Sequence, residues 1–230
     1  MGITTTIKNT GKNTGKNTGT CAVVIGGGPI TSTVADHDLV IAADGGYDAA
    51  RAAGLDPHVL VGDLDSISAA GLAWAESHGV DVQHHAADKD RTDTALALTE
   101  AVASAPGEIV LYGPTAGDRL DHLLGAIIAL GSPELASTGS VSARFGGTAV
   151  HVVHPGHTVE LALTIGTVFS LLPLHGPCAG VTVGGARWAL SDAVLVPGST
   201  VGISNEADGT NVVVSVATGV LTVIIPEVLA

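Results

Sequence analysis

Between Cys21 and Thr138, short apolar runs that do not alternate with polar residues are separated by segments of helical period. That pattern restricts the fold more than any other feature of the chain. A strand apolar on both faces must be covered on both faces, which is the situation of a parallel strand between helical layers. The runs are Ala22–Ile25, Leu39–Ala43, Val59–Val61, Val80–Gln83 and Ile109–Tyr112. Helices are expected over Tyr47–Ala53, Ala69–His78 and Thr94–Ala105, the first two stopped by Gly54 and Gly79. A further helix places Leu120, Leu123, Leu124, Ile127 and Ile128 on one face.

After Thr138 the character changes. Val150–Val153, Thr158–Leu163, Val168–Leu172, Val181–Val183, Asn211–Val216 and Val220–Ile225 are short and rich in β-branched residues, divided by Gly, Pro and Asp-Gly turns. This predicts an all-β sandwich. Residues 1–20 repeat Lys-Asn-Thr-Gly, with little to bury, and read as a disordered low-complexity tail. The expected organisation is therefore a tail over 1–20, an α/β domain with a mostly parallel sheet over 21–138, and an all-β sandwich domain over 139–230.

Aromatic residues are 3% of the 230-residue chain while hydrophobic residues are 46%, so the cores must be built from aliphatic side chains. Cys21 and Cys178 are far apart and lack metal-site spacing. No apolar run reaches membrane-spanning length, and the N-terminus lacks a signal-peptide core. A cytoplasmic protein is expected. The formal charge of −13 argues against a nucleic-acid surface. Lys8, Lys12 and Lys16 lie in the tail, whereas Lys89, Arg91 and Arg119 lie in two polar segments, Asp88–Asp93 and Gly113–His122. Cations concentrated beside aspartates in an acidic protein point to an anionic ligand.

Ligands of open parallel sheets bind beyond the carboxyl ends of the strands. Asp44, Asp63, Asp65, Asp88, Asp90 and Asp93 all follow strand-like runs. Collected at one sheet edge, such carboxylates require a cation, and all-oxygen ligation favours Mg²⁺. Ile109–His122 is a strand, a glycine-bearing turn and a helix start, where free N–H groups and Arg119 suit a phosphate. A dinucleotide-binding oxidoreductase competes through Gly26-Gly27-Gly28, with Asp44 as the ribose-binding acid. Thr31, however, occupies the third glycine position of that fingerprint.

The motifs occur in a fixed order: Ala43-Asp44-Gly45-Gly46, Gly62-Asp63-Leu64-Asp65-Ser66, Asp88-Lys89-Asp90-Arg91-Thr92-Asp93 and Gly117-Asp118-Arg119-Leu120-Asp121-His122. Later come Phe169-Ser170-Leu171-Leu172-Pro173-Leu174, Gly185-Ala186-Arg187-Trp188-Ala189-Leu190 and Gly202-Ile203-Ser204-Asn205-Glu206. In this order the chain resembles the thiamine diphosphokinase (thiamin pyrophosphokinase) family. The resemblance implies Mg²⁺-dependent transfer of a diphosphate from ATP to thiamine in a homodimer with active sites between subunits. It implies Asp63, Asp65, Asp90 and Asp93 as metal ligands, and Asp63, Asp65 and Asp93 as the catalytic carboxylates. Asp93 is expected to accept the hydroxyl proton. Nucleotide contacts are expected from Asp44, Lys89, Thr92, Arg119, Asp121 and His122. Trp188, Ser204 and Asn205 are expected to line the thiamine site. A related diphosphokinase acting on another alcohol such as a pterin, and a non-catalytic nucleotide- or thiamine-binding protein, are the alternatives. The chain departs from the family pattern at Asp118, where a glycine is frequent, at Ala95, where Glu is frequent, and at Gly125-Ala126, where an Asn is common.

Overall fold

The computed structural model describes residues 18–115 and 119–227. The tail expected over 1–20 lies outside the described residues except for its end, and so do Gly117 and Asp118. Thr20 already belongs to the first strand. The described residues form two units: one takes in 18–138 together with Ser142–Gly147, the other Gly139–Val141 and the described residues from Thr148.

The first unit alternates strand and helix. Its elements are β1 (Thr20–Ile25), β2 (Leu39–Ala43), α1 (Gly46–Ala52), β3 (Val59–Gly62), α2 (Ala69–Ser77), β4 (Asp81–His84), α3 (Asp93–Ala103), β5 (Glu108–Gly113) and α4 (Leu120–Ala129). A 3-10 turn over Pro133–Ser137 and β6 (Ser140–Phe145) follow. The strand order β5-β1-β2-β3-β4 is parallel throughout. Every residue of β3, and all but the first of β1, β2 and β5, is buried, as uniformly apolar central strands require. β4 is the edge strand and exposes Asp81 and His84, a polar edge that discourages pairing with another chain. Two helices start on side-chain caps, with Ser68 accepting from the Gly71 N–H and Thr92 from the Ala95 N–H. Each such cap contributes about 1 kcal/mol.

Residues 120–129 are helical, but the apolar stripe does not face the core as a whole. Ile127 is buried, whereas Leu120, Leu124 and Ile128 are 62%, 47% and 58% exposed. The last three are spaced by four and form their own ridge. The helix turns Ala126 and Ile127 inward and leaves that ridge on the surface.

The second unit contains β7 (Thr148–Val153), β8 (Thr158–Ala162), β9 (Val168–Leu172), β10 (Cys178–Gly184), β11 (Leu190–Leu195), β12 (Asn205–Glu206), β13 (Asn211–Ser215) and β14 (Leu221–Ile225). They form antiparallel sheets of order β12-β9-β14-β7 and β11-β10-β13-β8. Val159, Leu161, Val212 and Val214 from one sheet share a core with Phe169, Leu171, Val223 and Ile225 from the other. This is the expected sandwich. β6, β11 and β12 have no counterpart among the apolar runs. Arg144, Asp192 and the two-residue length of β12 hide them from a periodicity reading.

Candidate active site

The chain turns sharply at the carboxyl end of β2. Asp44 adopts φ 46°, a left-handed conformation that Asp tolerates better than most residues. Its N–H donates to the Val61 carbonyl at 2.9 Å. Its carboxylate accepts the Ser66 N–H (3.2 Å to Oδ2) and the Ile67 N–H (3.2 Å to Oδ1). Asp44 thereby ties the end of β2 to the loop after β3. Asp63 follows β3 directly, and Leu64 beside it also has a positive φ, 65°. Asp93 opens α3. Gly62 packs behind all of them: a Cβ there would stand 3.0 Å from Asp44 Cβ and 3.2 Å from Asp93 Oδ1.

Oxygens of Asp44, Asp63 and Asp93 lie within 4.8 Å of one another. Lys89 enters this group from the β4–α3 loop, its Nζ 3.1 Å from Asp63 Oδ2 and 3.1 Å from Asp93 Oδ1. Burial raises the Asp44 pKa, helped by the charges of Asp65 and Asp93, and the Ser66 hydrogen bonds only partly offset it. The hydrogen bond from Lys89 holds Asp63 below the usual carboxylate value. Burial works against charge on Lys89, but its bonds to Asp63 and Asp93 outweigh that and raise its pKa. Asp93 Oδ1 is buried, with the Lys89 ammonium at 3.1 Å as its partner. Three carboxylates converging within 4.8 Å, with one lysine bound to two of them, fit an oxygen-seeking divalent cation.

The expected residues divide accordingly. Asp63 and Asp93 stand in the triad. Asp44, expected among the nucleotide contacts, is its third member. Asp65 and Asp90, expected as ligands, are exposed and outside it, and Asp65 accepts the Ser66 hydroxyl at 2.8 Å. Thr92 caps α3 through its hydroxyl oxygen, leaving the hydroxyl proton to donate. Arg119 forks onto Asp121, with Nε 3.0 Å from Oδ1 and Nη2 2.8 Å from Oδ2, and its Nη2 touches His122 Nε2. The hydrogen bond from Arg119 lowers the Asp121 pKa to about 2. All three side chains are about two-thirds exposed, so the guanidinium edge not bound to Asp121 is open to an incoming anion. A groove of about 620 Å³ lined by Ile30, Ser32, Asp36 and Leu55 contains none of these residues.

In the sandwich unit, Asn205, next to Ser204 in the chain, meets Trp188 across seventeen residues of sequence. Asn205 is buried and holds the Trp188 backbone at both polar atoms: its Oδ1 accepts the N–H at 3.2 Å and its Nδ2 donates to the carbonyl at 2.9 Å. Ser204, at φ 57°, donates its N–H to Ser170 Oγ at 3.1 Å. The Trp188 ring is 52% exposed. Arg187 and Glu206, which motif reading did not place in the site, flank it.

Lys89→Met should destabilise the protein by about 2 kcal/mol at neutral pH, because it removes the internal counter-ion of two carboxylates. The Asp63 pKa is lowered, so the pair's contribution is complete above the ordinary carboxylate value of 3.8 and is lost as pH falls through the lowered one. The Lys89 pKa is raised, so the contribution also disappears as pH rises above 10.5, the ordinary lysine value, and through the raised one. Urea midpoints of both proteins across pH check this. A gap that persisted at pH 2 would refute the ion-pair origin.

An α/β unit whose strand ends gather carboxylates and a lysine, in a chain continuing as a sandwich with an exposed indole, places the protein among the small phosphate-group transferases. Family profiles match the chain over residues 30–138 (thiamin pyrophosphokinase, catalytic domain) and 156–221 (thiamin pyrophosphokinase, vitamin B1 binding domain). The chain belongs to the thiamin pyrophosphokinase family. It is similar to a thiamine pyrophosphokinase of Bacillus subtilis, 28% identical over 212 residues, covering 87% of this chain and 96% of the relative. A crystal structure of thiamine pyrophosphokinase from Bacillus subtilis superposes with a TM-score of 0.75 at 26% identity, covering 91% of this chain and 100% of that one. A thiamin pyrophosphokinase structure from Geobacillus thermodenitrificans gives 0.73 at 26% identity, covering 92% and 99%. The profile match displaces the oxidoreductase alternative. No helix among the described residues is long and apolar enough to cross a membrane.

Proposed function

We propose that the protein transfers the diphosphate of ATP to the hydroxyethyl group of thiamine, releasing AMP. The observation that carries this reading is the convergence of Asp44, Asp63 and Asp93, the last two bound to Lys89, at the strand ends of a chain of this family. The thiamine hydroxyl oxygen attacks the β-phosphorus, the bond from that phosphorus to the α,β-bridging oxygen breaks, and AMP leaves with the electron pair. Transfers of this kind depend on alignment and charge neutralisation more than on covalent help. A Mg²⁺ ion held by Asp44, Asp63 and Asp93 would supply charge neutralisation at the phosphates. Lys89 and Arg119 bring fixed positive charge to phosphate oxygens, and the Thr92 hydroxyl donates to the nucleotide. Asp93, a carboxylate at the start of α3 within the triad, takes the hydroxyl proton. Trp188 offers its face to the cationic acceptor.

The enzyme works in the cytoplasm as a homodimer with sites completed between subunits. In support, both cysteines are free thiols. Exposed apolar ridges also occur on α4 and around Val194, Val196, Val201 and Ile203, and surface of this kind is commonly covered by a partner.

Incubation with ATP, Mg²⁺ and thiamine should yield thiamine diphosphate and AMP in equal amounts. ADP as product would overturn the reaction, and turnover only with a different alcohol would overturn the acceptor. The metal assignment has its own readout. Without ATP or thiamine, Mg²⁺ should raise the melting temperature of Lys89→Met more than that of the wild type, because the variant's carboxylates lack a resident cation. An equal or smaller shift would count against the triad as the metal site.

A further inference from the structure

Trp188 is a large apolar side chain half in solvent, and packing on its own sheet does not hold its ring. A bracket of polar groups surrounds it instead. Segment 185–188 is zipped to segment 205–208: Arg187 N–H donates to the Glu206 carbonyl at 2.9 Å, Asp208 N–H donates to the Gly185 carbonyl at 3.0 Å, and Ala186 bridges Ala207. Gly185 sits at φ 72°, where a Cβ would come within 2.1 Å of the Asn211 carbonyl oxygen, so the turn into this segment has little latitude. Asn205 pins the Trp188 backbone at both polar atoms and takes the Glu206 N–H at 2.9 Å as well. This frame fixes the main chain, and none of these bonds reaches the indole ring.

A cation–π contact reaches the ring itself. The Arg187 guanidinium lies 4.8 Å from the Trp188 ring centroid, and its Nη1 is bound to Glu206 Oε2 at 2.9 Å. The guanidinium is thus anchored at one end and lies over the indole, where a lysine ammonium, lacking the planar fork, would be a poor replacement. It occupies one face of the ring, so a flat ligand must use the other.

We infer that Arg187, anchored by Glu206, is a positioning residue that orients the Trp188 indole so that its opposite face receives the acceptor substrate. The inference rests on the assignment of Trp188 to the thiamine site. Arg187 acts through Trp188 and not on the phosphates, so its loss weakens acceptor binding and spares the chemical step. Asn205, which accepts two main-chain N–H groups and donates to one carbonyl, belongs to the same frame and acts through Trp188 too.

The test uses a Trp74→Phe background, since Trp74 and Trp188 are the two tryptophans. Arg187→Ala should flatten the near-ultraviolet circular dichroism band of Trp188. It should raise the thiamine KM about three- to fivefold, the scale of an exposed cation–π contact. The kcat and the ATP KM should stay within about twofold. Arg187→Lys should recover less than half of the loss, and Glu206→Gln should fall between. An unaltered Trp188 band, a lowered thiamine KM, or a fall in kcat at unchanged KM would overturn the inference. Trp188→Ala separates the two levels. A wild-type thiamine KM in that variant removes the thiamine-site assignment, and the inference with it. A raised KM there beside an unaffected Arg187→Ala removes the inference alone.

Discussion

Asp63→Ala should reduce thiamine-dependent AMP release by about a thousandfold while leaving the fold intact, the scale of losing charge stabilisation worth several kcal/mol. Asp63 is the strand-end carboxylate that both joins the triad and binds Lys89. Its removal deletes a cation ligand and releases the lysine from one of its two anchors. Asp63→Asn keeps the size and should be nearly as damaging, because an amide supplies neither the charge nor the same hold on the lysine. By contrast, Asp90→Ala should cost less than tenfold, since Asp90 is exposed and stands outside the triad. Steady-state rates with AMP detection, alongside urea unfolding of each variant, distinguish a chemical loss from a folding one. Asp63→Ala within tenfold of wild type, or Asp90→Ala as inactive as Asp63→Ala, would refute the arrangement proposed here.

Gly46→Ala should be the most destabilising single-methyl change in the α/β unit. A Cβ at Gly46 would stand 2.2 Å from the Val24 carbonyl oxygen and 2.8 Å from its carbon. Both belong to central strand β1, which is hydrogen-bonded to β2 and β5 and cannot retreat. α1 would have to lift off the sheet, at a cost of about 3 kcal/mol or more. The same substitution at Gly125, inside α4, meets nothing within 4 Å. There alanine should stabilise by about 0.5–1 kcal/mol through helix propensity alone. Opposite shifts in the urea midpoint check the pair. A mild effect at Gly46 would mean that the β1–α1 approach is looser than the structure shows.

Gly46 illustrates how far sequence reasoning reaches. The motif Ala43-Asp44-Gly45-Gly46 marks a turn after a strand, but nothing local says that the second glycine is required by a strand twenty residues earlier. The α4 ridge is a similar case. Period alone puts Leu120, Leu123, Leu124, Ile127 and Ile128 on one apolar face, yet only Ile127 is buried. Which part of an apolar arc meets the sheet depends on how the helix is docked, and docking is not encoded in the period.

The site divides along the same line. That aspartates gather at the carboxyl ends of parallel strands followed from the run–turn–helix order, because parallel strands end at one edge. Which of them meet did not. Asp44 joins Asp63 and Asp93 because a left-handed turn and the Ser66 and Ile67 amides point its carboxylate inward, while Asp65 and Asp90, equally aspartate and equally close in sequence, remain in solvent. Arg187 and Glu206 were visible as letters in the motifs, but their stacking and pairing on Trp188 arise from strand zippering between segments nearly twenty residues apart. The sequence by itself determined the two architectures, their order along the chain and the family, because hydrophobic periodicity and ordered motifs are properties of the chain alone. Only the tertiary structure decided which carboxylates converge, where Lys89 rests and what holds the indole, because those depend on distances between elements that the chain brings together only on folding.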